Sequence, residues 1–136
     1  MIKTDAQRER TLVQIDGFRK ALATAVREAT GKRAAAIRGS YEEMIRQLEE
    51  EVREYDRLKS GKFTLPSLER LDQIAPFVVK LRIAKGVSQT ELARRLGVSK
   101  QVISRTEEED YQGASLARLQ EILSAMGVRT KITLTA

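Results

Sequence analysis

The stretch SQTELARRLGVSKQVISR, Ser88 to Arg105, decides how this chain is read. Ser88-Gln89-Thr90-Glu91 has the form of a capping box, in which a serine hydroxyl takes the backbone N–H three residues on. It sets a helix start at Gln89. Leu92, Ala93 and Leu96 recur at helical spacing and form the buried stripe of that helix. Ala93 is small enough to let another helix cross closely. Gly97 suits the left-handed residue that ends a helix. Val98 plugs the turn, and Ser99 caps a second short helix predicted from Lys100 to about Glu108. Only Ile103 and Thr106 of that helix are expected to face inward, which leaves Lys100, Gln101, Ser104 and Arg105 outward.

A helix that starts at a tight turn and shows Lys, Gln, Ser and Arg on its free face suits the major groove of duplex DNA. Gln can bond adenine in pairs, and Arg or Lys can reach guanine O6 and N7. The preceding helix would lie across the phosphate backbone with its first amides aimed at it, which accounts for Gln89 and Thr90 in its first turn. Charge points the same way. Residues 80–105 hold Lys80, Arg82, Lys85, Arg94, Arg95, Lys100 and Arg105 against Glu91 alone. That window carries the whole formal charge of +6, the rest of the chain sums to zero, and the basicity is read as local. The bland alternative is a solvated helix face, and the turn and its caps weigh against it.

The run QTELARRLGVSKQVISRTEE resembles the Cro/cI-type (Xre-like) helix-turn-helix family, with the Gln-x-x-Leu-Ala-x-x-Leu-Gly-Val-Ser spacing intact. The resemblance extends from the helix around Phe77 to Gly86 through the helix from Ser115 to Met126, roughly half the chain. It implies a bundle of about five helices, two-fold dimers and operator binding. By position, Lys100, Gln101 and Arg105, with Ser104 beside them, match the base-reading residues, and Gln89 matches the phosphate-contacting Gln. Thr90, Arg94 and Ser99 are assigned to phosphate with it. Arg82 and Glu107 match an ion pair that ties the first helix to the end of the recognition helix. Thr106 departs from the pattern, because the family has a large apolar or aromatic residue there; looser packing under the recognition helix is expected. The acids Glu107 to Asp110 also depart, since they oppose the macrodipole at a helix C-terminus. Glu107 is expected to pair with Arg82, and the others to face solvent away from the duplex. Tyr111-Gln112-Gly113 then turns the chain, with Gly113 as the expected positive-φ residue.

Composition narrows the remaining classes. The 136 residues are 41% apolar and 32% charged, rich in helix formers and poor in aromatics, which favours a mainly α fold. No apolar run approaches a membrane span, and no signal-peptide pattern opens the chain. There is no Cys and no His, so disulfides, thiolate nucleophiles, Cys/His zinc sites and the usual general base are excluded. The acids lie along helical faces and in one short run rather than in a metal-binding loop. No enzyme, cofactor or metal is expected, and a cytoplasmic location is. Gly31-Lys32 invites a phosphate-loop reading, but Val26 stands where that motif needs Gly, and Arg33 where it needs Ser or Thr.

Outside the central stretch, Thr4 to Gln7 reads as a capping box for a helix to about Ala29, with Leu12, Ile15, Phe18 and Leu22 on one face. Ser40 to Glu43 reads as a second capping box. The stripe that follows holds Tyr41, Leu48 and Tyr55 at spacings of seven, so it serves either a hairpin or a dimer seam. Residues 60–64 read as a linker, Leu65-Pro66-Ser67 as the start of a short helix, and Pro76 as the first residue of the next. The expected organisation is a helical arm or hairpin over 1–62, the DNA-binding domain over 63–127, and a C-terminal strand over 128–136. The strand rests on the alternation of Val128, Thr130, Ile132 and Leu134 with polar residues. A lone strand needs a partner, so it is expected to pair with its copy in a second subunit. The function these features support is a dimeric (auto)repressor that binds specific double-stranded DNA. The alternatives are an antitoxin, similar to the HigA-like group, holding a toxin on its N-terminal helices, and an interaction module with only non-specific DNA binding.

Overall fold

Thr4 opens the first helix: its Oγ1 accepts from the Gln7 N–H at 3.1 Å, while Gln7 Oε1 takes the Lys3 N–H at 2.8 Å. The computed structural model describes residues 1–136 and holds six α-helices, one 3-10 turn and no strand. Contacts divide the chain into Met1–Arg57 and Leu58–Ala136.

The first unit is an antiparallel hairpin of α1 (Asp5–Glu28) and α2 (Gly31–Lys59), joined by Ala29 and Thr30. Gly31, at φ 65°, makes the reversal. The start of α1 meets the end of α2 through Arg8–Asp56 and Tyr55–Asp5, and Phe18 meets Tyr41 with ring centroids 6.1 Å apart. The stripe with spacings of seven is therefore turned onto α1. Contrary to expectation, α2 does not begin at Ser40 but runs straight through Gly39 and Ser40. Ala34 and Ile37, both partly buried, extend the inner stripe N-terminal to Tyr41, and that packing carries the helix through a glycine worth roughly 0.5–1 kcal/mol of destabilisation.

In the second unit α3 (Ile74–Ala84) buries Ala75, Val78, Val79, Leu81, Arg82 and Ile83. After it α4 (Gln89–Leu96) packs against both α5 (Lys100–Glu108) and α6 (Leu116–Ala125). Ser88, Ser99 and Ser115 begin the last three, each accepting the backbone N–H three residues on. Gly97 at φ 68° ends α4, and Val98 N–H closes back on the Ala93 carbonyl at 3.0 Å.

Several expectations fail in this unit. Leu65-Pro66-Ser67 starts no helix; the first helical turn is the 3-10 segment Leu71–Gln73. Gln73 Oε1 captures the Glu69 and Arg70 amides at 3.0 Å each, and that places the cap later. Pro76 is accordingly the third residue of α3, still among the first four positions whose N–H has no helical acceptor. The bundle has four α-helices and a 3-10 turn rather than five helices, because the stretch expected to begin the first helix gives only the turn Leu71–Gln73; the strand expected over residues 128–136 is also absent. The tail has the side-chain alternation of a strand, but a strand exists only in a ladder and no segment of this chain offers one. Beyond the bond from Val128 N–H to the Leu123 carbonyl, it is held by Thr130 Oγ1 donating to Gln120 Oε1 at 3.2 Å. Lastly, Gly113 is not the positive-φ residue; Asp110 (φ 50°) and Tyr111 (φ 58°) are. The turn is bent there to drive the Tyr111 ring inside, where it is fully buried.

Candidate nucleic-acid interface

Glu107, on the last turn of α5, is the most heavily bonded side chain of the second unit. Arg82 reaches it from α3 as a bidentate fork, Nε to Oε2 at 2.6 Å and Nη2 to Oε1 at 2.7 Å. Gln89 Nε2 donates to Oε1 at 2.9 Å from the first turn of α4, and Tyr111 OH donates to Oε2 at 3.0 Å from the turn after α5. Each carboxylate oxygen thus takes two bonds, and Arg82 Nη1 also donates to the Val87 carbonyl at 2.9 Å. Arg82 is 3% exposed and Glu107 not at all. A buried ion pair is tolerable only when its remaining hydrogen-bonding capacity is filled. Here that condition holds, and no buried side-chain N or O lacks a partner. Burial and the neighbouring Glu107 charge both push the Tyr111 phenol up, so it stays a neutral donor.

This network holds α5 against α3 and α4 and orients its outer face. Lys100, Gln101 and Arg105 are exposed on that face and Ser104 is half-buried. Val102 is also 44% exposed there, a residue the sequence reading passed over; an apolar group among polar readers suits the thymine methyl. Thr106 is half-buried and donates back to the Val102 carbonyl at 2.7 Å. Beneath it, where the resemblance implies a larger side chain, lies a cavity of about 200 Å³ bordered by Ile103, Tyr111, Arg118 and Ile122.

The residues assigned to phosphate are spread differently from the expectation. Gln89 is buried and its carboxamide is spent on Glu107, so its side chain does not stand on the outer surface; only its backbone amide remains at the helix start. Thr90 is exposed. Ser99 is exposed, but its hydroxyl caps α5. Glu91 does not close the capping box back onto Ser88. It takes Arg94 at 2.6 Å and Arg95 at 2.9 Å instead, and those guanidiniums hold its carboxyl down to about 2. Arg95 also donates to the Ala125 carbonyl at 2.8 Å, which ties α4 to the end of α6. Arg94 is forked onto Glu91 through Nε and Nη2, yet its side chain remains largely exposed. Glu108, Glu109 and Asp110 are exposed at the far end of α5.

Tyr111 is the structural member the sequence reading missed, having been taken only as part of a turn. Its signal was an isolated aromatic, in a chain with three tyrosines, directly after a run of acids.

Residues 78–132 match the family model described as helix-turn-helix. Comparison with curated proteins and comparison with solved structures each found no match.

Proposed function

We propose that this chain is a DNA-binding regulator of the Cro/cI (Xre-like) helix-turn-helix type, which reads a specific duplex site as a homodimer and represses transcription there, its own gene included; the match of residues 78–132 to the helix-turn-helix family model supports this reading. The observation that carries the reading is the outer face of α5: Lys100, Gln101, Ser104 and Arg105 are presented by a helix whose far end is clamped through Glu107. In this reading those four side chains, joined by Val102, meet base edges. Thr90, Arg94, Ser99 and the first amides of α4 meet phosphate, while the Gln89 side chain acts as a strut rather than a contact. It is a binding role and involves no catalysis.

Two-fold binding is supported by a groove of about 350 Å³ between residues 65–71 and 128–134. Leu65, Leu71, Ile132 and Leu134 are all more than 40% exposed around it, and the tail's backbone is without a ladder partner. A second copy of this chain would cover those side chains. A further reading, an antitoxin that holds a toxin on the α1–α2 hairpin, is favoured by the separateness of that unit. No helix is long and apolar enough to cross a membrane.

The test is binding to the DNA just upstream of the gene, at near-physiological salt with excess random competitor, with Arg105→Ala beside the wild type. Arg105→Ala is expected to lose about 1–3 kcal/mol at the preferred site and to relax base preference there. If affinity and preference both survive the substitution, the docking is wrong.

A further inference from the structure

The α1–α2 hairpin contributes little net charge, but its charges are segregated along its length. Residues 17–40, the end that carries the Ala29–Thr30 connection, hold Arg19, Lys20, Arg27, Lys32, Arg33 and Arg38 against one acid, Glu28. Residues 41–57, toward the other end, hold seven acids against three arginines. The near-zero sum outside residues 80–105 therefore conceals a second basic region, folded back on itself into about 18 Å of hairpin at 1.5 Å per residue.

Several cations of this unit are paired: Arg8 has Asp56, Arg46 has Glu43 and Arg53 has Glu50, and within residues 17–40 Arg19 has Glu49 and Lys20 has Asp16. At the tip, Arg27, Lys32, Arg33 and Arg38 are exposed and make no hydrogen bond or ion pair. Two of them are also misplaced for folding. Lys32 and Arg33 occupy the first turn of α2, which contains no acid, where the helix dipole favours negative charge. Four unpaired cations within twelve residues, two of them against the dipole, disfavour the isolated hairpin, and an external polyanion would offset that.

We propose that the hairpin tip is a second nucleic-acid surface, one that grips the phosphodiester backbone of duplex DNA without reading its sequence. Half of the residues between the cations from Arg27 to Arg38 are alanine and one is glycine, so little side-chain bulk surrounds the charged heads. Phe18 is the only aromatic in residues 17–40 and is engaged with Tyr41, which leaves no stacking platform of the kind that holds unpaired bases. The segment has no Asn or Gln to read adenine. Duplex DNA is favoured over an acidic protein because the same chain carries the helix-turn-helix domain. A tip tethered to a domain already on DNA meets phosphate at high effective concentration. The inference does not depend on operator reading by α5, since it needs phosphates only.

The experiment uses the full chain and a random-sequence duplex, with affinity followed by fluorescence anisotropy across a salt series. Arg27→Gln, Lys32→Gln, Arg33→Gln and Arg38→Gln are combined in one variant. Every phosphate that the protein no longer neutralises lowers the slope of log affinity on log salt by about 0.9. The combined variant is expected to lower the slope by about 2–4 and the affinity at near-physiological salt by about tenfold or more, leaving the ratio of preferred to random sites unchanged. Replacing the three arginines by lysine is expected to keep the wild-type slope. Should the glutamine variant misfold by circular dichroism, Lys32→Gln with Arg33→Gln, which removes the dipole conflict, is expected to give about half the slope change. A glutamine variant with intact helix content and an unchanged slope overturns the proposal. So does one that keeps its DNA affinity while losing affinity for polyglutamate, which assigns the tip to an acidic protein. Arg105→Ala run in parallel separates the two readings: loss of preference with an unchanged tip slope sinks only the second surface, and the reverse sinks only operator reading by α5.

Discussion

In each unit one arginine reaches a carboxylate across the fold, far away in sequence, and grips it in the same bidentate way. Arg8 holds Asp56 across the hairpin at 2.7 and 3.0 Å, and Arg82 holds Glu107 at 2.6 and 2.7 Å. The difference is water. The Arg8 and Asp56 side chains are 29% and 47% exposed; those of Arg82 and Glu107 are 3% and 0%. An exposed pair exchanges one good solvation for another and contributes about 0–1 kcal/mol. A buried pair adds little compared with an apolar core, yet breaking it strands a charge out of water. The hairpin pair is thus a replaceable surface feature, whereas the second is a clamp whose failure takes α5 with it.

The sharpest break in that comparison is Glu107→Ala. It leaves Arg82 charged and buried with Gln89 and Tyr111 unpaired, and is expected to cost about 3–5 kcal/mol in denaturant unfolding of the second unit. DNA binding should fall with it, although Glu107 touches no DNA in the docking proposed. Next, Tyr111→Phe removes one donor to a charged acceptor without changing the ring, so a loss of about 1–3 kcal/mol is expected from the same measurement. A loss below that range would mean water fills the vacancy through the neighbouring cavity. Smallest is Asp56→Asn, expected within about 1 kcal/mol and shrinking further in high salt. Arg8 holds the Asp56 carboxyl below its ordinary range. The sign follows: the pair's contribution is present above the unfolded carboxyl pKa of about 3.9 and is lost as pH falls below it. Wild type and Asp56→Asn should therefore converge in stability in acid. Divergence there would show that the pair is more than a surface contact.

The legible features were those written in adjacent residues. The starts of α4 and α5 and the glycine that ends α4 follow from Ser88, Ser99 and Gly97, because capping is a contact between residues three apart. Gly39 and Ser40 carried the same local signal and were overridden, since the α2 stripe continues through them against α1. The inward turn of Gln89 was illegible for a related reason. Its partner, Glu107, lies eighteen residues away, and nothing at position 89 says whether an amide at a helix start faces solvent or the interior.

What the sequence determined by itself was the mainly helical class, the two short helices and their turn, and the cationic outer face of α5. Each rests on periodicity, caps or charge read within one helix length. Tertiary structure decided which polar side chains go inside, where Tyr111 enters, and that the alternating tail forms no strand within one chain. Those outcomes depend on whether distant groups complete one another's hydrogen bonds out of water. The buried Glu107 carboxylate takes its donors from α3, α4 and a turn at once, and a strand needs a neighbour, conditions that no single stretch of residues contains.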